Sequence, residues 1–403
     1  MTLEPIQKAT LSNSGTLRRI QVHDEFIYSL TDKGLTGEIR KFSLNLKPIW
    51  GQTTPYSVND MSISNEGIVI TGHQYAKGFD GMSISSPMIA KMDLNGVVEW
   101  QRGPRPPTTF VDDWSGDRPV AHPNTSANLW KLTMLPGGGA ICMGLMDAND
   151  SKILFHHRFD RHGRTIWSNG CALVKTDWMY TYPGKVEPMF SRHKEYLYHF
   201  GAYRIKQSKS QIAGFKIHIR SGAVVKRYQS DRPFHQFTNG ALSKNGDCAI
   251  GTLGPKNSPS TILALDSEFN KKSELTTSLQ PWADIIWNGP EDVIVAGGIQ
   301  KGESANRTPG IERFLIRDSP VSRPQLLGTS TLSGFARLST HHHAFISLDE
   351  DKKNRLTIRR LDDGSSWSMC SDSMTNLQLE SIDNEKVIVG MNNMGASMTL
   401  ITF

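Results

Sequence analysis

A carboxylate or carboxamide recurs at the head of short alternating apolar segments: Asp60 in VNDMSIS, Asn128 in SANLWKL, Glu187 in KVEPMF, Asn239 in FTNGALS, Asp284 in PWADIIW and Asn376 in MTNLQLE. Thr16 and Gly334 stand near the comparable place in two further segments. Asp60, Glu187 and Asp284 are acids, and acid–base catalysis or glycoside cleavage needs such groups in pairs. His73, which closes GIVITGH, is the histidine best placed to serve them as a base. Asn128, Asn239 and Asn376 offer hydrogen bonds to a polar ligand, and the whole set of oxygens could ring a hard cation such as Ca²⁺. The competing role for every member is structural, because Asx side chains at strand starts also bond nearby backbone and shape turns.

A second group lies in two long connectors. Residues 101–127 carry Asp112, Asp113, Trp114, Asp117, Arg118 and His122, and residues 170–186 carry Trp178, Tyr180 and Tyr182. Connectors of that length are often functional, and aromatic side chains on a surface are commonly spent on recognition. These residues either cap a ligand site or pack onto the body as a satellite core. The tracts THHHAF (His341, His342, His343) and FHHRFDRH (His156, His157) look metal-like, yet neighbours along a strand point to opposite faces. No metal is expected there. Cys142, Cys171, Cys248 and Cys370 are widely separated, which argues against a disulfide framework or a zinc site. The chain has no G-x-S-x-G elbow, phosphate-cradling loop or H-E-x-x-H.

The elements that must position these residues repeat. FIYSL, GIVITG, GAICMG, YLYHFG, DCAIGT, DVIVAGG, AFISL and KVIVGM recur roughly every fifty residues, most behind a turn signal. Residues 59–102 spell a complete unit of four short strands, including an Asn-Gly hairpin, and residues 239–277 repeat the plan. No window shows sustained helical periodicity. Four-stranded units in such number predict an all-β, single-domain β-propeller over residues 1–403, with 101–127 and 170–186 as inter-blade insertions. Eight antiparallel blades are expected, or seven if the degenerate unit at 173–230 is misread. The last unit supplies only about three strands, so an N-terminal strand from EPIQKATLS should complete it and close the ring.

Three phrases share a further pattern: IAKMDLNGVVEW, HHRFDRHGRTIW and IRRLDDGSSW. Their D-x-x-G-x-x-x-W form, shortened in the third, resembles the tryptophan-docking repeat of quinoprotein-like propellers. The resemblance implies that each Trp plugs the space between blades, and it implies no bound quinone. Regular Gly-Gly pairs or Trp-Asp endings, which would tie the chain to kelch or WD40 repeats, are absent.

The 403 residues are 37% hydrophobic and 21% charged, a soluble globular composition, and no apolar run is long enough for a membrane helix. Without a secretory signal, a cytoplasmic location is the default. The net charge of +6 is scattered among acids instead of gathered in a stripe, which disfavours a nucleic-acid partner. With no catalytic constellation, the leading expectation is a non-catalytic propeller that binds a protein or small polar ligand on its loop face, without a cofactor. The alternative is an enzyme of hydrolase, lyase or cyclase type at the channel mouth.

Overall fold

The computed structural model describes residues 7–12, 15–77, 83–107, 126–148, 151–174, 188–203, 211–230, 236–253, 260–300, 307–316, 325–326, 331–348, 353–371, 375–392 and 396–403. They form eight four-stranded antiparallel sheets. Blades 1 to 7 span residues 16–54, 57–102, 127–174, 189–229, 236–277, 279–326 and 331–371, and in each the strands pair in chain order. Blade 4 carries all four strands, so the count is eight and not seven. Blade 8 takes three strands from residues 375–402 and its outermost from Gln7–Ser12, which pairs antiparallel with Ala396–Thr402. The first strands of successive blades touch all the way round, blade 8 to blade 1 included.

Period-two alternation explains why sheets stack this way. In blade 2, Ile68 and Ile70 pack against Tyr28, Leu30 and Ile39 of blade 1, whereas Val69 between them packs against Leu129 and Leu132 of blade 3. Blade 5 does the same, with Cys248 and Ile250 against blade 4 and Ala249 against blade 6. A sheet that is apolar on both faces must be covered on both, and burying each such side chain stabilises by about 1.5–3 kcal/mol. The buried residues accordingly form eight clusters, one per seam.

A polar clasp accompanies the apolar packing in the first half of the ring. Trp50, on the outer strand of blade 1, donates its indole N–H to Leu94 O in the last turn of blade 2 at 3.2 Å. Trp100 does the same to Arg161 O of blade 3 at 2.8 Å, and Trp167 to Ile219 O of blade 4 at 3.0 Å. The turn glycine lies against the ring, so these hairpins are tryptophan-docking in geometry as well as pattern. Gly163 has φ +75°, and a Cβ there would stand 2.6 Å from Trp100. In the same turn the Asp160 carboxylate accepts the His162 and Arg164 backbone N–H groups at 2.8 and 2.9 Å.

A cation on the third strand joins the clasp. Lys41 reaches Leu94 O at 3.2 Å, Arg158 reaches Ile219 O and Arg220 O at 3.1 Å, and Lys216 reaches Ser267 O of blade 5 at 2.9 Å. Blade 4 has no outer Trp. Its seam is filled from the other side by Phe269 of the blade 5 turn, at φ +65°, which packs on Tyr198 and Phe200.

Gly163→Ala should therefore cost about 3 kcal/mol, combining left-handed strain with collision against the indole. Gly137, also left-handed at φ +83° but with nothing within 4 Å of where a Cβ would stand, is the control. Gly137→Ala should cost about 1 kcal/mol by urea unfolding. Equal losses would show that the docked indole does not carry the seam.

Candidate functional site

Each inner strand runs from the mouth of the channel, where the second-to-third-strand loops and the blade-to-blade links gather, toward the opposite face. Seven of the eight break register just inside the mouth, between Leu17 and Arg19, Val58 and Asp60, Leu129 and Lys131, Phe237 and Asn239, Gln280 and Asp284, Leu332 and Ala336, and Thr375 and Gln378. A bulge leaves a residue out of the ladder and re-aims it. Asp60, Asn239 and Asp284 follow their bulges, whereas Asn128 precedes one, so these side chains do not make a single ring.

The structure commits the inner-strand acids to the seams. Asp60 is buried and accepts Leu132 N of blade 3 at 3.2 Å. Asp284 accepts Leu338 N of blade 7 at 2.9 Å and Ile285 N at 3.2 Å, and it also takes the Asn239 amide across the blade 5–6 seam. Asn239 turns its oxygen to Gly240 N at 2.7 Å. Asn128 accepts the Ser85 hydroxyl of blade 2. Asp60 and Asp284 stand on blades 2 and 6, four blades apart in the ring. Glu187, Trp114, Trp178, Tyr180, Tyr182, Asp112, Asp113, Asp117, Arg118 and His122, with the side chain of Asn376, lie outside the described residues. The flanking strands are described: blade 2 ends at Arg102, blade 3 begins at Ala127 and its outer strand continues to Val174.

His73 belongs to a polar cluster where blades 1 and 2 meet at the mouth. Asp32, the last residue of strand Phe26–Asp32, pairs with Arg18 at 2.7 Å through Nη2. Its other oxygen accepts the Ser57 hydroxyl at 2.8 Å, Gly34 N at 3.2 Å and Val58 N at 3.4 Å. His73 is the cross-strand partner of Ser57; by alternation with Val69 it lies on the blade 3 side of its strand, yet within reach of the Asp32 and Arg18 charges. Burial holds the imidazole below its usual range, with the Asp32 charge opposing and the Arg18 charge assisting. Asn59, the bulge residue of blade 2, donates to Leu129 O at 2.7 Å and contacts His73 Nδ1 at 3.4 Å. Since that amide nitrogen is a donor, Nδ1 is the acceptor and Nε2 carries the ring proton. Tyr75, 52% exposed, stands edge-on to His73 with ring centroids 4.8 Å apart.

Arg18 and Asn59 escape sequence reasoning because the bulges shift the mouth-facing position by one residue, and Asp32 and Tyr75 because they stand near the ends of second strands, outside the recurrent inner-strand position. The one available signal is the turn Asp32-Lys33-Gly34, whose carboxylate caps its own loop.

The histidine tracts are core. His156 and His157 face opposite seams: His156 bonds His199 of blade 4 at 2.9 Å and Cys171 at 2.8 Å, while His157 stacks on Phe159. His342 bonds Ser381 of blade 8 at 2.8 Å and stacks on Phe403, while His343 stacks on Phe345 with both ring nitrogens buried and unpartnered.

No family model matches the chain, and no curated protein matches it. Among solved structures, a europium-containing methanol dehydrogenase superposes with a TM-score of 0.56 at 9% identity, covering 100% of this chain and 93% of that one. The WD40 domain of SCAP from fission yeast superposes at 0.55 and 6% identity, covering 100% and 98%. Likeness at such identities is likeness of fold. One architecture serves a dehydrogenase and a WD40 domain, so the architecture does not choose between catalysis and binding.

The buried histidines predict acid sensitivity. Unfolded histidine titrates near pH 6.5, whereas burial pushes His156 and His343 down to about 3 and His157 and His342 to about 4. Between those limits the unfolded chain binds protons that the folded one refuses. Their stabilising contribution is therefore complete above about pH 6.5 and is lost as pH falls toward 4. His343→Phe should keep stability at pH 7 and flatten the acid limb of the urea-midpoint profile by roughly 1.4 kcal/mol per pH unit. An unchanged limb would mean that His343 accepts its proton while folded.

Proposed function

We propose that this propeller is a non-catalytic binding protein that takes a small polar ligand at the channel mouth over blades 1 and 2. The observation that carries the reading is the contrast between two sets of polar groups. Asp60, Asn128, Asn239 and Asp284 direct their polar atoms to neighbouring blades. His73 instead stands between an exposed phenol, Tyr75, set edge-on to it and a guanidinium, Arg18, whose charge reaches it. Their scaffold is held by Asp32, Ser57 and Asn59, which fix geometry without a ligand. A concave mouth with a few convergent polar groups is the usual form of a small-ligand site. His73 is the base an enzyme would need, but Asp32, the described acid whose charge reaches it, is committed to Arg18, Ser57 and two backbone N–H groups, and Asp60 is bonded to backbone.

Purified protein equilibrated with a native small-molecule extract, washed and analysed by mass spectrometry should retain a ligand. His73→Gln and Tyr75→Ala should lower its retention at least tenfold with no change in melting temperature. Retention unaltered in both variants overturns the reading. Conversion of the ligand to a new product, abolished by His73→Gln, replaces it with the enzyme at the mouth.

A further inference from the structure

Resting on that reading, we infer that the mouth ligand carries an anionic oxygen group, a carboxylate or phosphate, and that Arg18 is the residue that reads it. The arrangement of the Arg18–Asp32 pair is asymmetric. The Asp32 carboxylate is set back, with its side chain 8% exposed, and the Arg18 side chain stands in front at 27%. The Asp32 charge is already divided among a guanidinium N–H, a hydroxyl and two backbone N–H groups. Guanidinium has five N–H donors in a fork that matches a planar or tetrahedral oxyanion, and the bond to Asp32 uses Nη2. Arg18 Nε is buried with no hydrogen-bond partner among the described residues, an uncommon omission for a buried donor. A group arriving from the channel meets the cation first and the satisfied carboxylate behind it.

The inner strands carry a matching bias. Arg18, Arg19, Lys131, Arg192 and Arg337 outnumber Asp60, Asp284 and Glu380 on the described inner strands. Two of those acids hold seam backbone, as does one cation, Arg337, which donates to Leu377 O of blade 8 at 3.1 Å. Burial pushes the Glu380 carboxyl up toward its neutral form, against the pull of Arg19. A low-dielectric channel with this excess of cation focuses anions toward its mouth. Tyr75, edge-on to His73, supplies an exposed ring that can cover the body of the ligand.

Isothermal titration with inorganic phosphate, acetate and glucuronate, with glucose as the neutral control, tests the inference. At least one anion should bind the intact protein at least tenfold more tightly than glucose, and more weakly as salt rises. Arg18→Gln should remove that preference, while Arg18→Lys, which keeps the charge and the pair with Asp32, should retain part of it with an unchanged melting temperature. Equal binding of glucose and glucuronate, no binding of any anion, or a preference that survives Arg18→Gln overturns the inference. The binding reading fails separately, when His73→Gln and Tyr75→Ala leave retention of the extract ligand intact.

Discussion

The ring depends on how one main-chain carbonyl is used at each clasped seam. A tight turn leaves carbonyl oxygens without ladder partners, and each has two lone pairs. Leu94 O takes Lys41 and Trp50 of blade 1 together, and Ile219 O takes Arg158 and Trp167 of blade 3. Apolar faces alone let one sheet slide over the next at little cost, because hydrophobic burial has no direction. Two donors converging on one oxygen fix the register. The desolvation of the lysines is offset by aromatic faces: Lys41 Nζ lies 3.8 Å from the Phe26 ring centroid and Lys216 Nζ 4.4 Å from that of Tyr196.

The clasp is unevenly distributed. It joins blades 1 through 5, with the indole replaced by Phe269 at the last of these seams. Among the described residues, the seam between blades 6 and 7 has the fewest buried apolar side chains of the eight, Ile294, Ala296, Leu338 and Phe345. There the polar contribution comes from Asp284, whose carboxylate holds Leu338 N. A carboxylate that the fold uses in place of an indole is poorly suited to chemistry, since protonating it would release the seam it holds. The polar cluster at the mouth instead lies where clasp and core are both dense, on blades 1 and 2.

Much of the architecture is legible in the chain. Alternating runs such as GIVITG, glycine-bearing turns such as DLNG, and a final unit one strand short predict four-stranded blades, their docking tryptophans and the closure by Gln7–Ser12. Trp50 escapes recognition as a docking residue because its own hairpin turn holds Leu46, at φ +55°, where the pattern has glycine. The third-strand cations are invisible because Lys41, Lys91 and Lys216 resemble ordinary surface lysines until the neighbouring blade covers them. The polar residues at the strand heads are legible as a recurrence but not as a role. Whether Asp60 faces a channel or a seam depends on a one-residue bulge, and a bulge has no composition of its own.

The bulges also free one position per strand from the ladder, and the blades use it differently. On either side of each bulge the fold makes strict demands: Leu17, Val58 and Leu129 before it are completely covered, and Asp60 after it holds the next blade. The bulged residue is left out of the ladder. At this position blades 1, 2 and 3 carry Arg18, Asn59 and Trp130, a cation, an amide and an indole, on strands of otherwise similar pattern. Their use differs: Asn59 donates to Leu129 O of blade 3 and Trp130 packs into the core between blades 3 and 4, whereas Arg18 pairs with Asp32 of its own blade, so the blade 1 position is the one whose chemistry is least tied to a seam.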